Sequence, residues 1–323
     1  MSSKKFLIPD GIEYYTGTDA SLLEKLKFSV IKIFKKFNYE FVVTPVIDSI
    51  DNLNNLNQDD SRNLNISLSN SEGLGVRSDI TPQISRLDYQ SNQLTKANKY
   101  SYMGDIYRET KSPFDRNNPF QVGAEYFGKM SKNTDVNLIK MCHEIISLSN
   151  SKKIIIELND SFFINYYLDS LNLNKSDKNI LKNIINLKSI SEIEDFFKIT
   201  NFRKNKLNEL MDLMKFSGSC SLLKDINSFC NKYKYDATEN IKFLKGVIKD
   251  IQSLKNVEII IDICSFRSMD YEKTFNYAFY VEDFRKPIAL GGRYISYISN
   301  NANVRTATGF SIDLKDIVMI YEK

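Results

Sequence analysis

Residues 77–86 read RSDITPQISR and residues 120–127 read FQVGAEYF, and these two stretches decide how the chain folds. In the first, Thr81 can cap a helix and Pro82 can occupy its first turn, where a missing N–H costs nothing. A helix is therefore expected to run to about Tyr89. The polar run Arg77-Ser78-Asp79-Ile80-Thr81 then lies at a helix N-terminus, a natural place for polar ligand groups. In the second stretch, Gln121 and Glu125 interrupt an apolar run at i, i+4, which puts both on one face of a strand. Between them KYSYMGDIYR (99–108) alternates as another strand does, and a polar cluster Tyr107-Arg108-Glu109-Thr110 begins at its end. Residues 111–119, with Pro and Asn, read as a mobile loop joining the two strands.

Outward from this centre the pattern alternates between helix and strand. Ser21 and Glu24 stand at capping-box spacing. Leu22, Leu23, Leu26, Val30, Ile33, Phe34 and Phe37 follow at helical period, with Lys32, Lys35 and Lys36 at or near the last turn, where cations suit the dipole. YEFVVT (39–44) reads as a buried strand ended by Pro45. Residues 51–70 are rich in Asn, Asp and Ser and read as a loop or a short irregular hairpin. Beyond the centre, a helix is expected over 133–149 and strands over 154–158, 257–263, 275–281 and 307–312, with a last helix from near Asp313. Residues 161–250 show helical spacing with many Lys and Asn and no strong strand signal. No repeat of 20–50 residues is visible. The pattern predicts an α+β architecture with a largely antiparallel sheet flanked by helices. Its expected parts are a core over 1–160, a helical insertion over 161–255, and the rest of the core over 256–323.

Composition narrows the function classes. Of 323 residues, 44 are Lys or Arg and 40 Asp or Glu, a net charge of +4 that is too weak to announce a nucleic-acid binder. Histidine occurs once, at His143, which excludes an HExxH site and any multi-histidine metal site. Cys142, Cys220, Cys230 and Cys264 form no CxxC pair and read as reduced thiols of a cytosolic protein. Met1 to Asp10 has too short an apolar run for a signal peptide, and no run approaches the roughly 18 residues that span a bilayer. The expectation is a soluble cytoplasmic protein with no membrane partner.

One more cluster joins Leu290-Gly291-Gly292-Arg293-Tyr294 with Thr308-Gly309-Phe310-Ser311; paired glycines allow close approach of backbone or ligand. In order along the chain, Pro45 after a helix and strand, Arg108 closing a strand, and Gly-Gly-Arg with Gly309 before a terminal helix resemble motifs 1, 2 and 3 of a class II aminoacyl-tRNA synthetase core. More narrowly, RSDITPQISR (77–86), YRE (107–109), QVGAEYFG (121–128), RSMDY (267–271), LGGRY (290–294) and TGFSIDL (308–314) resemble the histidyl-tRNA synthetase branch. The synthetase pattern places Glu two residues after the motif 2 Arg to hold adenine, and Thr110 stands there. Where motif 3 ends in an Arg that grips phosphates, the run ends in Lys315-Asp316, wrong-signed for a polyphosphate. The chain also ends soon after motif 3, so no anticodon-binding domain and no tRNA partner are expected.

The remaining likeness is to regulatory subunits of ATP phosphoribosyltransferase. That resemblance implies a non-enzyme that keeps the amino-acid pocket, takes free histidine as a feedback signal and activates the short-form ATP phosphoribosyltransferase catalytic subunit. It calls for no cofactor and no metal. Glu125 and Asp79 would face the ligand ammonium, with Gln121 and Thr81 as neutral partners, and Arg108 would take the carboxylate through paired charge-assisted bonds. Arg267 and Tyr271 would lie near the imidazole, although Ser268 replaces the family glycine and Glu272 follows Tyr271. Gly291 and Gly292 would form the pocket floor. A homodimer within a hetero-oligomer, joined through the Leu22–Phe37 helix and the Pro45 strand, is expected by analogy with motif 1. The alternative is a truncated synthetase paralogue that activates an amino acid for a non-tRNA acceptor.

Overall fold

The computed structural model describes residues 11–54, 64–65, 73–91, 95–109, 115–200, 202–265, 272–298 and 304–321. These fall into two compact units, one within 1–152, 281–290 and 295–323, the other within 153–280 and 291–294. In chain order the first carries α1 (Gly17–Lys36), β1 (Glu40–Val42), β2 (Ile47–Ser49), α2 (Ile50–Asn54), β3 (Leu64–Asn65), β4 (Leu74–Val76), α3 (Thr81–Gln90), β5 (Asn98–Asp105), β6 (Phe120–Phe127) and α4 (Lys132–Ile146). The second follows with β7 (Ile154–Asp160), α5 (Phe162–Ser170), α6 (Lys175–Asn186), α7 (Ile190–Ile199) and α8 (Lys204–Met214). It continues with β8 (Ser217–Ser219), α9 (Leu223–Tyr233), α10 (Thr238–Ile251), β9 (Val257–Asp262) and β10 (Glu272–Val281). β11 (Ala289–Ile298) gives residues 291–294 to the second unit, and β12 (Val304–Asp313) and α11 (Leu314–Ile320) return to the first.

In the first unit, α1 buries Leu23, Leu26, Val30 and Phe34, the stripe its spacing predicts. Its start differs from the expected capping box. The helix begins at Gly17, and the Ser21 hydroxyl donates back to the Gly17 carbonyl at 2.9 Å from within the second turn. β1 is shorter than the expected buried strand and lies at a sheet edge, paired on one side only, in parallel with β5. Among the described residues no strand pairs with its other side; Phe41 is half-exposed, and Val43 just past the strand is 80% exposed. β5, β6 and β12 form the antiparallel centre. Their register stacks Tyr100, Glu125 and Gly309 in one row, and Tyr102, Gly123 and Ser311 in the next. A separate small sheet runs β2-β4-β3.

In the second unit, β7 pairs with β9 in parallel and β9 with β8 antiparallel. The sheets are therefore mixed, with the antiparallel pairs expected and two parallel ones added. α6 to α10 each bury one stripe, as in Ile241, Leu244, Val247, Ile248 and Ile251 of α10. β8 interrupts the stretch read as helical throughout; three residues paired to a partner some forty positions away leave no local period. Gly291 and Gly292 lie in mid-strand rather than in a turn, and a Cβ on Gly292 would come within 2.7 Å of the Asn276 Cβ. Beside them the Arg293 guanidinium stacks over Phe243 of α10 at 4.5 Å. Among the described residues no helix is long and apolar enough to cross a membrane.

Candidate ligand-binding site

The carboxylate of Glu125 is the centre of the first unit's polar set. It is 2% exposed on a strand where, besides it and Gln121, the buried residues are apolar or small. Its Oε1 accepts from the Thr81 hydroxyl and the Tyr102 phenol, both at 3.3 Å, and those two oxygens are 3.1 Å apart. Burial, and after it the charge of Glu125, pushes the Tyr102 phenol far up, so it stays protonated and serves as a donor. A buried carboxylate held this way is placed to accept from a cationic ligand group.

Two glycines make that placement possible. Tyr102 lies across Gly123, where a Cβ would overlap the phenol and come within 2.6 Å of the Phe310 carbonyl. Glu125 lies across Gly309 on β12, where a Cβ would overlap its carboxylate and approach the Ala124 carbonyl to 2.6 Å.

Asp79, Thr81 and Gln121 join the same set with a division of labour that differs from expectation. Thr81 is the first residue of α3 rather than its cap, and the Asp79 Oδ1 accepts from its N–H at 2.9 Å. Thr81 is thereby freed to turn its hydroxyl to Glu125. Gln121 donates to the same Asp79 oxygen at 2.9 Å and accepts from the Ile80 N–H at 2.9 Å, tying β6 to the helix start. Arg77, from the same polar run, is fully engaged: it donates to the carbonyls of Asp105, Thr44 and Pro45 and to the Thr44 hydroxyl. It clamps the chain after β1 to the end of β5.

Arg108 lies three residues past β5, its N–H donating to the Asn117 carbonyl at 2.9 Å. Its half-buried guanidinium makes no hydrogen bond or ion pair among the described residues. Gly291 and Gly292 belong to the second unit. Arg267 and Tyr271, along with Thr110 and residues 111–114 of the expected loop, lie outside the described residues. Tyr102 was not anticipated from the sequence. The available signal was its place opposite Gly123 in an antiparallel register, which only the pairing reveals.

Asp316 is buried and neutralised rather than facing an open pocket. It pairs with Arg116 and Lys286, each at 3.0 Å. Arg116 also pairs with Asp313 at 3.1 Å and Glu13 at 3.2 Å. Burial works against the Arg116 charge, but Asp313 and Asp316 outweigh it and raise its pKa. Asp313 caps α11 through the Lys315 N–H and accepts from the Phe120 N–H, both at 3.0 Å.

Burial, then repulsion from Asp316, pushes the Asp313 carboxyl up from 3.8 to about 6, with Arg116 opposing. A group with a raised folded pKa binds its proton more tightly in the native state. Stability should therefore rise as pH falls from about 6 toward 4, by at most about 3 kcal/mol. Asp313→Asn is expected to flatten that slope in a Tm series from pH 4.5 to 7.5; an unchanged slope would assign it to another group.

The geometry can now be set beside known proteins. A family model described as histidyl-tRNA synthetase matches residues 11–317. The chain is 26% identical over 321 residues to a Teredinibacter turnerae protein named ATP phosphoribosyltransferase regulatory subunit, covering 97% of this chain and 81% of that protein. A protein of the same name from Acinetobacter baylyi is 26% identical over 327 residues, with the same coverage of 97% and 81%. Among solved structures, a Bacillus halodurans protein described as an ATP phosphoribosyltransferase regulatory subunit/histidyl-tRNA synthetase superposes with a TM-score of 0.86 at 16% identity, covering all of this chain and 85% of that one. A chain of the Thermotoga maritima ATP phosphoribosyl transferase (HisG:HisZ) complex gives 0.69 at 18% identity, covering 91% of this chain and 97% of that one. The structural matches share the α+β fold, and the family match runs from the residues before α1 into α11. By that match the chain belongs to the histidyl-tRNA synthetase family.

Proposed function

We propose that the chain is a non-catalytic regulatory subunit of ATP phosphoribosyltransferase that binds free histidine as a feedback signal and activates a short-form catalytic subunit. The observation that carries this reading is a contrast within the first unit. The acidic set around Glu125 is intact and backed by a buried donor, whereas the position of the motif 3 cation holds Asp316, neutralised by Arg116 and Lys286. Such a chain retains groups for an amino acid and lacks the cation that would grip a polyphosphate. The names of the relatives support the same partner class.

In this reading Glu125 and Asp79 face the ligand ammonium, Thr81 and Gln121 orient it, and Arg108 takes the carboxylate. Arg267 and Tyr271 are assigned to the ligand imidazole. The exposed Phe41, Val43, Val46 and Ile47, with Phe28 and Ile31 of α1, offer an apolar surface for a homodimer. Histidine and partner would be coupled by a free energy of about 1–3 kcal/mol, reciprocal between the two sites.

The test is calorimetric titration with histidine, together with phosphoribosyltransferase turnover on mixing with a short-form catalytic subunit. Expected are saturable binding, a gain in turnover, and no pyrophosphate exchange with ATP and histidine. Glu125→Ala should weaken binding about thirtyfold, since it leaves the ligand ammonium without its buried counter-charge. Unchanged affinity in that variant would move the pocket elsewhere, and pyrophosphate exchange would restore the synthetase-paralogue reading.

A further inference from the structure

We infer that Arg116 is a positioning residue for the ligand carboxylate, acting through Arg108; the inference rests on the role given to Arg108 above. Arg116 lies on the limb that returns from the segment after β5 to β6, and its side chain is 5% exposed. Its guanidinium joins three carboxylates from two distant segments: Glu13 before α1, and Asp313 and Asp316 at the start of α11. It also donates to the Met319 sulfur at 2.8 Å. The next residue, Asn117, accepts from the Arg108 N–H at 2.9 Å and donates to the Gly11 carbonyl at 2.7 Å. Pro119 accepts from the Ile106 N–H at 3.1 Å, and the Phe120 N–H is held by Asp313. The limb is thus fixed on both sides of the one residue against which the Arg108 backbone is registered.

Three further points favour positioning over direct action. Arg116 is neutralised by its own carboxylates, so little of its field reaches a ligand. Its three guanidinium nitrogens each meet a different acid as an ion pair, a spread that the single ammonium of a lysine on a flexible stem does not reproduce. The Arg108 guanidinium, in contrast to the fully engaged Arg77, makes no hydrogen bond or ion pair among the described residues, so its aim depends on its backbone. A shift of about 1 Å in that backbone would spoil a two-point carboxylate contact.

The experiment titrates the full chain with histidine and with histidinol, which lacks the carboxylate. The variants are Arg116→Lys, Arg108→Ala and the two combined. Arg116→Lys is expected to weaken histidine about tenfold and histidinol less than about twofold, with no further loss in the Arg108→Ala background. Equal losses for both ligands, or an additive loss in the double variant, would overturn the inference and reduce Arg116 to a folding role. If Arg108→Ala leaves histidine affinity untouched, the role of Arg108 falls, and this inference with it. Should Arg116→Lys fold poorly, Glu13→Gln removes only the most exposed of the three partners. It is expected to cost about threefold for histidine alone; the same loss for histidinol would count against the inference.

Discussion

Gly309→Ala is expected to lower stability by about 3 kcal/mol and to abolish measurable histidine binding, because a single methyl would stand where the Glu125 carboxylate lies. The strand register fixes Gly309 opposite Glu125, and the added Cβ would also be 2.6 Å from the Ala124 carbonyl. Backbone on the β6 side cannot yield without breaking the β6–β12 ladder, so the side chain must leave. In leaving, Glu125 loses the Thr81 and Tyr102 donors, and a displaced buried carboxylate without partners is costly. Thermal unfolding of the variant should show a Tm lower by roughly 5–10 °C. A double variant, Glu125→Ala with Gly309→Ala, should recover part of that stability while still failing to bind histidine. Strict additivity of the two substitutions would show that the overlap is not what matters at this position.

A second large effect is expected at Asp88 of α3. Its carboxylate is fully buried and meets Arg305 of β12 through two bonds, at 2.8 and 2.9 Å. Asn98 adds a third at 2.6 Å, and Arg305 also donates to the Lys96 carbonyl at 3.0 Å. Asp88→Ala would leave a guanidinium in the interior without its counter-ion, at a cost of about 3–5 kcal/mol. Replacing both partners by apolar residues of similar volume, Asp88→Leu with Arg305→Met, should restore most of the loss, since desolvating the two charges offsets much of their attraction. Denaturant midpoints of the unsubstituted chain and the two variants decide the matter; a double variant as unstable as the single would mean that the pair contributes net stability.

The elements that could be read from the sequence are those whose own residues carry the period. The stripe of α1, Pro82 in the first turn of α3 and the i, i+4 pair Gln121 and Glu125 all needed only local spacing. Misread features depended on neighbours in space. Residues 39–44 look like any buried strand, but β1 lies at the edge of the sheet among the described residues and Val43 beyond it is exposed. Thr81 looks like a cap because nothing local shows that the helix already includes it, with its N–H held by Asp79 two residues earlier. Tyr102 carries no mark in KYSYMGD; its part depends on facing Gly123, and register is a long-range property. Asp316 looked like a stray acid in a phosphate site because its cations, Arg116 and Lys286, are 200 and 30 residues away in the chain.

His143 lies buried near the end of α4, and the chain has no other imidazole and no tryptophan. In a proton NMR spectrum the imidazole region therefore holds one protein spin system, shielded from solvent, against a window that is otherwise quiet for ring C–H signals of this type. Bound histidine would bring the second. Its ring protons could be followed through a titration without isotope labelling of the ligand, reporting both occupancy and the protonation state of the bound ring directly.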